Sequence, residues 1–139
     1  MKYIGVLMLS LMSLPVMASK SSDAVLMHCY TAHETQVEVA ACLDNHWQIA
    51  ESKLIAKEKA LTEHFAKLDA VSSMKNAVMS AKATQESFNE WRDKQCKMVE
   101  ASFASGSGSG LGYLSCKIEL TNEQIDRINH LMGAKDNEK

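Results

Sequence analysis

The 139 residues of this chain include 15 lysine and arginine residues and 17 aspartate and glutamate residues, for a formal net charge of −2 at pH 7. This length allows one domain. The mixed, nearly balanced charge argues against a nucleic-acid-binding protein, because such a protein needs a concentrated basic face.

Residues 1–18 have the layout of a secretory signal peptide. Lys2 gives a positive start, an apolar run follows from Ile4 to Leu14, and Val16 and Ala18 are the small residues before a cut. The run is too short to cross a bilayer. A lipid anchor would require small residues immediately before Cys29, and the sequence has none there. We therefore expect a periplasmic or secreted protein, with no membrane contact after cleavage.

All four cysteines lie in the exported part of the chain: Cys29, Cys42, Cys96 and Cys116. An even number of cysteines in a small exported domain indicates two disulfides. No Cys-x-x-Cys pair supports a thiol-disulfide oxidoreductase, and no spacing is that of a zinc finger.

Residues 19–34 form a polar, mixed lead-in that contains the first cysteine. Thr35 and Glu38 then fit a capping box, which predicts the start of a long helix that runs to about Ala70 without glycine or proline. The apolar stripe of this helix repeats every seven residues, at Trp47, Leu54, Leu61 and Leu68. Two further apolar residues, Ala50 and Phe65, widen the stripe.

The dipeptide Ser72-Ser73 can end the first helix, and it predicts a short connection to a second long helix that runs from about Met74 to Ala101. A short connection favours antiparallel packing. The face predicted to meet the first helix comprises Val78, Ala81, Phe88, Trp91, and Met98 or Val99. Arg92 and Asp93 are expected to point off that face.

Next comes a segment of alternating serine and glycine: Ser105, Gly106, Ser107, Gly108, Ser109 and Gly110. We predict a flexible loop here, which serves either as a plain connection or as a binding loop for a partner. Thr121 and Gln124 then suggest a second capping box and a last short helix that ends near Gly133. Residues 134–139 are a charged tail that we expect to be disordered.

These elements predict an all-α fold over residues 35–133: a disulfide-tied bundle built on a long antiparallel hairpin plus a short C-terminal helix. Such a layout gathers the four sulfur atoms at one end of the bundle. Three pairings remain open. We favour Cys29–Cys42 and Cys96–Cys116, because each pair closes a short loop.

We find no pattern of a reaction centre, and we predict no enzyme, cofactor or metal site. The five histidines form no ligand set, and nothing places two carboxylates across a cleft. Two roles are open for Arg92 and Asp93: a polar contact with a partner protein, or a network that ties this helix to a neighbouring segment of the chain. Phe88 and Trp91 read either as core residues or as a ligand platform.

Three stretches carry a family resemblance. The run Gln85-x-x-Phe88-x-x-Trp91-Arg92-Asp93-x-x-Cys96 resembles the central block of the LprI-type lysozyme-inhibitor domain, a family of small exported helical domains. Upstream, Thr35-x-x-Glu38-x-x-x-Cys42 is similar to a second family element, with Cys29 ahead of it. Downstream, the Gly/Ser segment, Cys116 and Thr121 resemble the family's closing part.

The resemblance implies binding and inhibition of a lysozyme in the cell envelope. Phe88 stands where the family has Trp, and Trp91 stands where it has Tyr, so aromatic bulk is kept. Gln124 stands where the family's final Thr-x-x-Arg motif has Arg, and Ile55 stands where the family tends to have Asn. The alternative function is an envelope accessory module that binds another periplasmic protein without inhibiting a lysozyme.

Overall fold

A computed structural model describes residues 23–104 and 106–133. These residues form four helices and no strand: α1 (Asp23–Ala32), α2 (Gln36–Val71), α3 (Ala77–Ser102) and α4 (Ser109–Leu131). The all-α prediction is confirmed. The predicted signal peptide and C-terminal tail lie outside the described residues. Among the described helices, none has the length and apolar character needed to span a bilayer.

The predicted start of α2 is confirmed in detail. The Thr35 hydroxyl accepts a hydrogen bond from the Glu38 N–H at 3.3 Å, and the Glu38 carboxylate accepts one from the Thr35 N–H at 3.1 Å. These two bonds satisfy N–H groups that a helix start leaves without partners. The hydrogen bonds from the Thr35 side chain and backbone lower the pKa of Glu38.

The start of α3 is capped from α2. The two carboxylate oxygens of Asp69 accept hydrogen bonds from the N–H groups of Ala77 and Val78, both at 3.0 Å. The predicted start at Met74 is three residues early, because Lys75 has a φ of +47° and this left-handed conformation interrupts a helix. The Asp69 carboxylate therefore fastens the turn of the hairpin.

The structure adds one helix that the sequence did not predict, and the predicted helix start at Thr121 was wrong. The lead-in contains a ten-residue helix, α1, which Cys29 holds against α2. Thr121 does not begin a helix but lies fully buried inside α4, a continuous helix of 23 residues. A Thr-x-x-Gln pattern suits a capping box and a helix interior equally, and packing of α4 against α2 and α3 decides between them.

The contacts show that α3 runs antiparallel to both long neighbours. Along α2, Asp69 contacts the start of α3 and Glu51 contacts Arg92 farther along it. Along α4, Cys96 meets Cys116 and Arg92 meets Thr121. Helices α2 and α4 therefore run in the same direction.

The buried apolar residues form two clusters. The cysteine-side cluster joins α1, α2 and α4 and comprises Cys29, Val39, Leu43, Leu111 and Ile118. The hairpin-side cluster joins α2, α3 and α4 and comprises Leu54, Leu61, Ala81, Ile125 and Ile128. The heptad stripe of α2 thus supplies core residues, but Leu68 is about half exposed because it lies beyond the end of α4.

The favoured disulfide pairing is confirmed. Cys29 pairs with Cys42 and ties α1 to α2, and Cys96 pairs with Cys116 and ties α3 to α4. Both bridges lie in the half of the bundle that contains the start of α2 and the end of α3. The described residues include no free cysteine.

Candidate functional site

A buried arginine lies where the three long helices meet. Arg92 is only 3% exposed, and its Nη1 donates hydrogen bonds to Glu51 Oε2 and Thr121 Oγ1, both at 2.9 Å. The prediction that Arg92 points off the packed face of α3 was wrong. A buried guanidinium is tolerated only when it is paired, and partners from α2 and α4 supply that pairing.

Two aromatic rings flank this guanidinium. The Arg92 Cζ atom lies 4.8 Å from the ring centroid of Trp47 and 5.3 Å from that of Phe88. Both distances suit cation–π attraction. Trp47 packs against the cysteine-side cluster and Phe88 against the hairpin-side cluster. Arg92 therefore forms a polar layer between the two apolar clusters.

Basic side chains and aromatic rings also alternate beyond Arg92, towards the C-terminal end of α3. Lys117 Nζ lies 4.0 Å from the Trp47 centroid and 5.3 Å from that of Tyr113, whose ring also lies 4.6 Å from Lys97 Nζ. Asp93 adds an ion pair with Lys117 at 3.5 Å. Arg92 and Asp93 thus take part in a network that joins α3 to α2 and α4.

Glu58 lies beside this layer on α2. Burial raises the pKa of its carboxyl group, the nearby Glu51 carboxylate raises it further, and Arg92 opposes both effects. Its Oε1 atom is buried without a hydrogen-bond partner. The backbone carbonyl of the same residue accepts a hydrogen bond from Gln85 Nε2 at 3.3 Å. Gln85 therefore serves the packing of α3 on α2.

The described part of the Gly/Ser segment is a hydrogen-bonded turn, and it is shorter than the predicted loop. The Gly106 N–H donates to the Phe103 carbonyl at 2.9 Å, and the Ser109 N–H donates to the Gly106 carbonyl at 3.1 Å. Ser109 and Gly110 already belong to α4. Ser105 lies outside the described residues. We call residues 106–110 the Gly/Ser turn.

A groove of about 400 Å³ opens between this turn and the start of α2; we call it the turn groove. Gln36 Nε2 spans it and donates a hydrogen bond to Ser107 Oγ at 3.3 Å. The side chain of Val37 is 80% exposed beside it. The groove is lined by Gln36, Val37, Ala40, Ser107, Gly110, Leu111 and Leu114.

Phe103 supports the Gly/Ser turn, and no signal in the sequence identified it. A Cβ atom at Gly112 would lie 2.5 Å from the Phe103 ring, so the absence of a side chain at Gly112 makes room for that ring. Gly110, by contrast, has open space around its Cβ direction. A side chain at Gly112 would therefore displace the Phe103 ring, whereas a side chain at Gly110 has space.

A second groove, of about 440 Å³, lies between α3 and α4; we call it the α3–α4 groove. Trp91 lines it and is 50% exposed, so the core reading of this residue was wrong. The buried arc of α3 passes instead through Ala81, Arg92 and Cys96. The groove is lined by Thr84, Ser87, Phe88, Trp91, Leu120, Glu123, Gln124 and Arg127.

One histidine lies close to sulfur. A ring nitrogen of His46 and the sulfur atoms of Cys29 and Cys42 all lie within 4.8 Å of one another. Both sulfur atoms belong to a disulfide, and a disulfide offers no thiolate to a metal. The His46 ring also meets the His28 ring edge-on at 5.9 Å between centroids.

The family model described as "Lysozyme inhibitor LprI" matches residues 27–128 of this chain. The chain belongs to the LprI lysozyme inhibitor family. No curated protein and no solved structure matches the chain. The matched stretch includes both disulfides, the buried arginine and both grooves.

The residues that carried the LprI resemblance build the scaffold. Thr35 and Glu38 cap α2, Gln85 bonds to it, and four others form the layer around the guanidinium: Phe88, Arg92, Asp93 and Thr121. Trp91 differs, since half of it faces solvent in the α3–α4 groove. The family motif thus accounts for stability and leaves one aromatic residue available for contact.

Proposed function

We propose that this protein is an exported inhibitor of a lysozyme and acts in the periplasm or outside the cell. The observation that carries the proposal is the match to the lysozyme inhibitor family over residues 27–128. Two structural disulfides support export, because such bonds persist in oxidising compartments. Inhibition by binding requires a rigid surface and no reaction centre, and the tied bundle provides such a surface.

The contact surface we propose is the Gly/Ser turn with the turn groove. Lysozymes cleave glycans with two carboxyl groups, one protonated and one ionised. The first turn of α4 begins within the Gly/Ser turn, and a helix start carries N–H donors and a partial positive charge that suit a carboxylate. No acidic residue occurs between Glu100 and Glu119 to repel such a group.

Shape and charge favour this surface as well. Glycine and serine add little bulk, so the turn fits a cleft shaped for a glycan chain. After removal of residues 1–18 the chain has 14 basic and 17 acidic residues, a formal charge of −3. This charge attracts a basic lysozyme over a distance, and added salt should weaken that attraction.

The first test measures the clearing of a cell-wall suspension by lysozyme in the presence of the purified, oxidised protein. We expect the rate of clearing to fall as the protein is added, and to recover partly when salt is raised at a fixed lysozyme concentration. An unchanged rate at a large molar excess of the protein would reject inhibition as its function.

A matched pair of variants tests the contact surface. Gly110→Glu places a carboxylate at the start of α4, where a side chain has space and where the helix dipole favours negative charge. We expect it to fold normally and to lose inhibition, because its carboxylate would face those of lysozyme. Ala66→Glu adds the same charge to an exposed position in the hairpin half and should inhibit normally. Equal inhibition by both variants would exclude the Gly/Ser turn as the contact.

The accessory-module alternative is favoured by a different part of the surface. Val71 and Met74 are 85% and 74% exposed at the hairpin end of the bundle, far from the Gly/Ser turn. Exposed apolar side chains of this kind suit a protein partner. This alternative predicts no effect on lysozyme and a periplasmic partner whose capture is lost in Val71→Ser.

A further inference from the structure

The α3–α4 groove has an exposed aromatic ring that the scaffold does not need. The ring of Trp91 is tilted by 41° to that of Phe88, with centroids 6.1 Å apart, and Phe88 packs beneath it on the hairpin-side cluster. Phe88 thus fixes one side of a half-exposed indole. A fixed indole offers a flat apolar face to a ligand at low entropic cost.

The polar groups of the groove are arranged around this ring. The hydroxyls of Thr84 and Ser87 each donate to a backbone carbonyl one turn earlier on α3, at 2.8 Å, which leaves their oxygen lone pairs free to accept. Across the groove, α4 contributes the carboxylate of Glu123, the amide of Gln124 and the guanidinium of Arg127. The groove therefore combines hydrogen-bond donors and acceptors with one apolar face.

We propose that the α3–α4 groove is a binding site for a neutral oligosaccharide. A pyranose ring presents an apolar face of C–H groups, which stacks on an indole, and hydroxyls that both donate and accept. The lining matches both features. The volume of about 440 Å³ lies within the range of small-molecule sites.

The charges of the lining disfavour other ligand classes. Glu123 and Arg127 lie one helical turn apart on α4 and their charges cancel, so the groove offers no excess charge to a phosphate or to a basic peptide. Leu120 is the one aliphatic residue among the eight that line the groove, so the apolar surface there is mainly aromatic and suits stacking. A neutral, hydroxyl-rich ligand fits best.

The site is separate from the Gly/Ser turn. The turn groove uses α4 at Gly110, Leu111 and Leu114, whereas the α3–α4 groove uses it from Leu120 to Arg127. Glycan binding is thus independent of the proposed inhibition. A protein with both properties would be held on a glycan surface while its turn remains free to meet an enzyme.

The test uses the purified, oxidised protein and the trimer of β-1,4-linked N-acetylglucosamine, without lysozyme. Binding is followed by ¹H–¹⁵N NMR and by tryptophan emission. We expect shifts at the Trp91 indole N–H and at Gln124. Trp91→Ala should weaken binding about tenfold, and Gln124→Ala by a smaller factor, since the stacked face is lost only in the first.

A control variant separates binding from folding. Met98→Ala removes another exposed apolar side chain of α3 outside the groove and should leave affinity unchanged. Far-UV circular dichroism checks that each variant keeps its helices. The proposal is overturned if the trimer causes no shift at millimolar concentration, if Trp91→Ala binds as well as the parent, or if a neutral tripeptide binds more tightly than the trimer.

The outcomes also distinguish this proposal from the proposed function. Loss of trimer binding in Trp91→Ala with normal inhibition of lysozyme supports two separate sites. A parent protein that binds the trimer without inhibiting any lysozyme keeps the glycan site and rejects the inhibitor. A parent protein that inhibits a lysozyme without binding the trimer keeps the proposed inhibitor function and rejects the glycan site.

Discussion

The two apolar clusters on either side of Arg92 are held together in different ways. The hairpin-side cluster contains four large aliphatic side chains from α2 and α4, and it includes no disulfide. The cysteine-side half holds both disulfides and also the turn with its glycines, which contribute no side chain to a core. The cysteine-side cluster also contains four large aliphatic residues, so the disulfides add covalent ties to an apolar core of similar make-up and place the glycine-rich turn on a rigid support.

The strongest test of this division removes the layer between the clusters. Arg92→Ala leaves Glu51 and Thr121 without their partner and opens a void between the rings of Trp47 and Phe88. We expect the free energy of unfolding to fall by about 3 to 5 kcal/mol, measured by urea titration. Because both clusters pack on this layer, both should lose amide-exchange protection.

The control for Arg92 is another basic residue of α3. Lys94 is exposed and pairs with Glu90 at 2.6 Å on the surface, so Lys94→Ala should cost less than about 1 kcal/mol. Equal losses in the two variants would mean that the buried arginine contributes no more than a surface charge.

The second test compares the two disulfides. The double variant Cys96→Ala with Cys116→Ala opens a bridge of sequence separation 20, and the same change at Cys29 and Cys42 opens one of separation 13. The chain-entropy model predicts a loss of about 3 kcal/mol for each. Hydrogen exchange should rise in α1 only when Cys29–Cys42 is removed. Exchange that rises first around Leu54 and Ile125 would contradict the proposed division.

A smaller effect is expected at the hairpin turn. Asp69→Ala removes the acceptor of two hydrogen bonds from the start of α3. We expect a loss of about 1 to 2 kcal/mol, which thermal unfolding can measure. Asp44→Ala removes a carboxylate from the surface of α2, where it accepts one exposed side-chain bond, and should change stability by only a few tenths of a kcal/mol. An equal loss at both positions would show that the hairpin half does not depend on this cap.

The smallest effect concerns pH. The pKa of Glu58 is raised in the folded protein, mainly by burial, so the folded state binds its proton more readily than the unfolded state does. Its contribution therefore favours folding when the carboxyl is protonated and is lost as pH rises through the folded pKa. Glu58→Gln should raise the urea midpoint at neutral pH and leave it nearly unchanged at acidic pH. A lower midpoint at neutral pH would contradict this.

Local signals predicted much of the fold. The Thr35–Glu38 box, the heptad stripe of α2 as far as Leu61 and the short loops closed by consecutive cysteines depend on residues close in sequence, and the structure agrees with each. The helix α1 was missed because its mixed polarity gives no clear stripe. Only its contact with α2 explains why it forms.

The errors around Arg92 have one physical origin. The aromatic residues suggested that the packed face of α3 passes through Phe88 and Trp91, but the buried arc is turned towards Arg92 and Cys96. An arginine is accepted there only because Glu51 and Thr121 approach from two other helices. Those partners lie 41 and 29 positions away in the chain, so no local pattern identifies them.

The order of the disulfides along the chain has a consequence for protein engineering. Each bridge joins consecutive cysteines, and neither crosses the connection at 72–76 between α2 and α3. A protease cut there would therefore yield two fragments, each with its own closed loop, held to each other by non-covalent contacts alone. Such fragments should separate in denaturant without a reducing agent and reassociate on dilution, which makes the hairpin turn the natural place to divide this protein into a complementing pair.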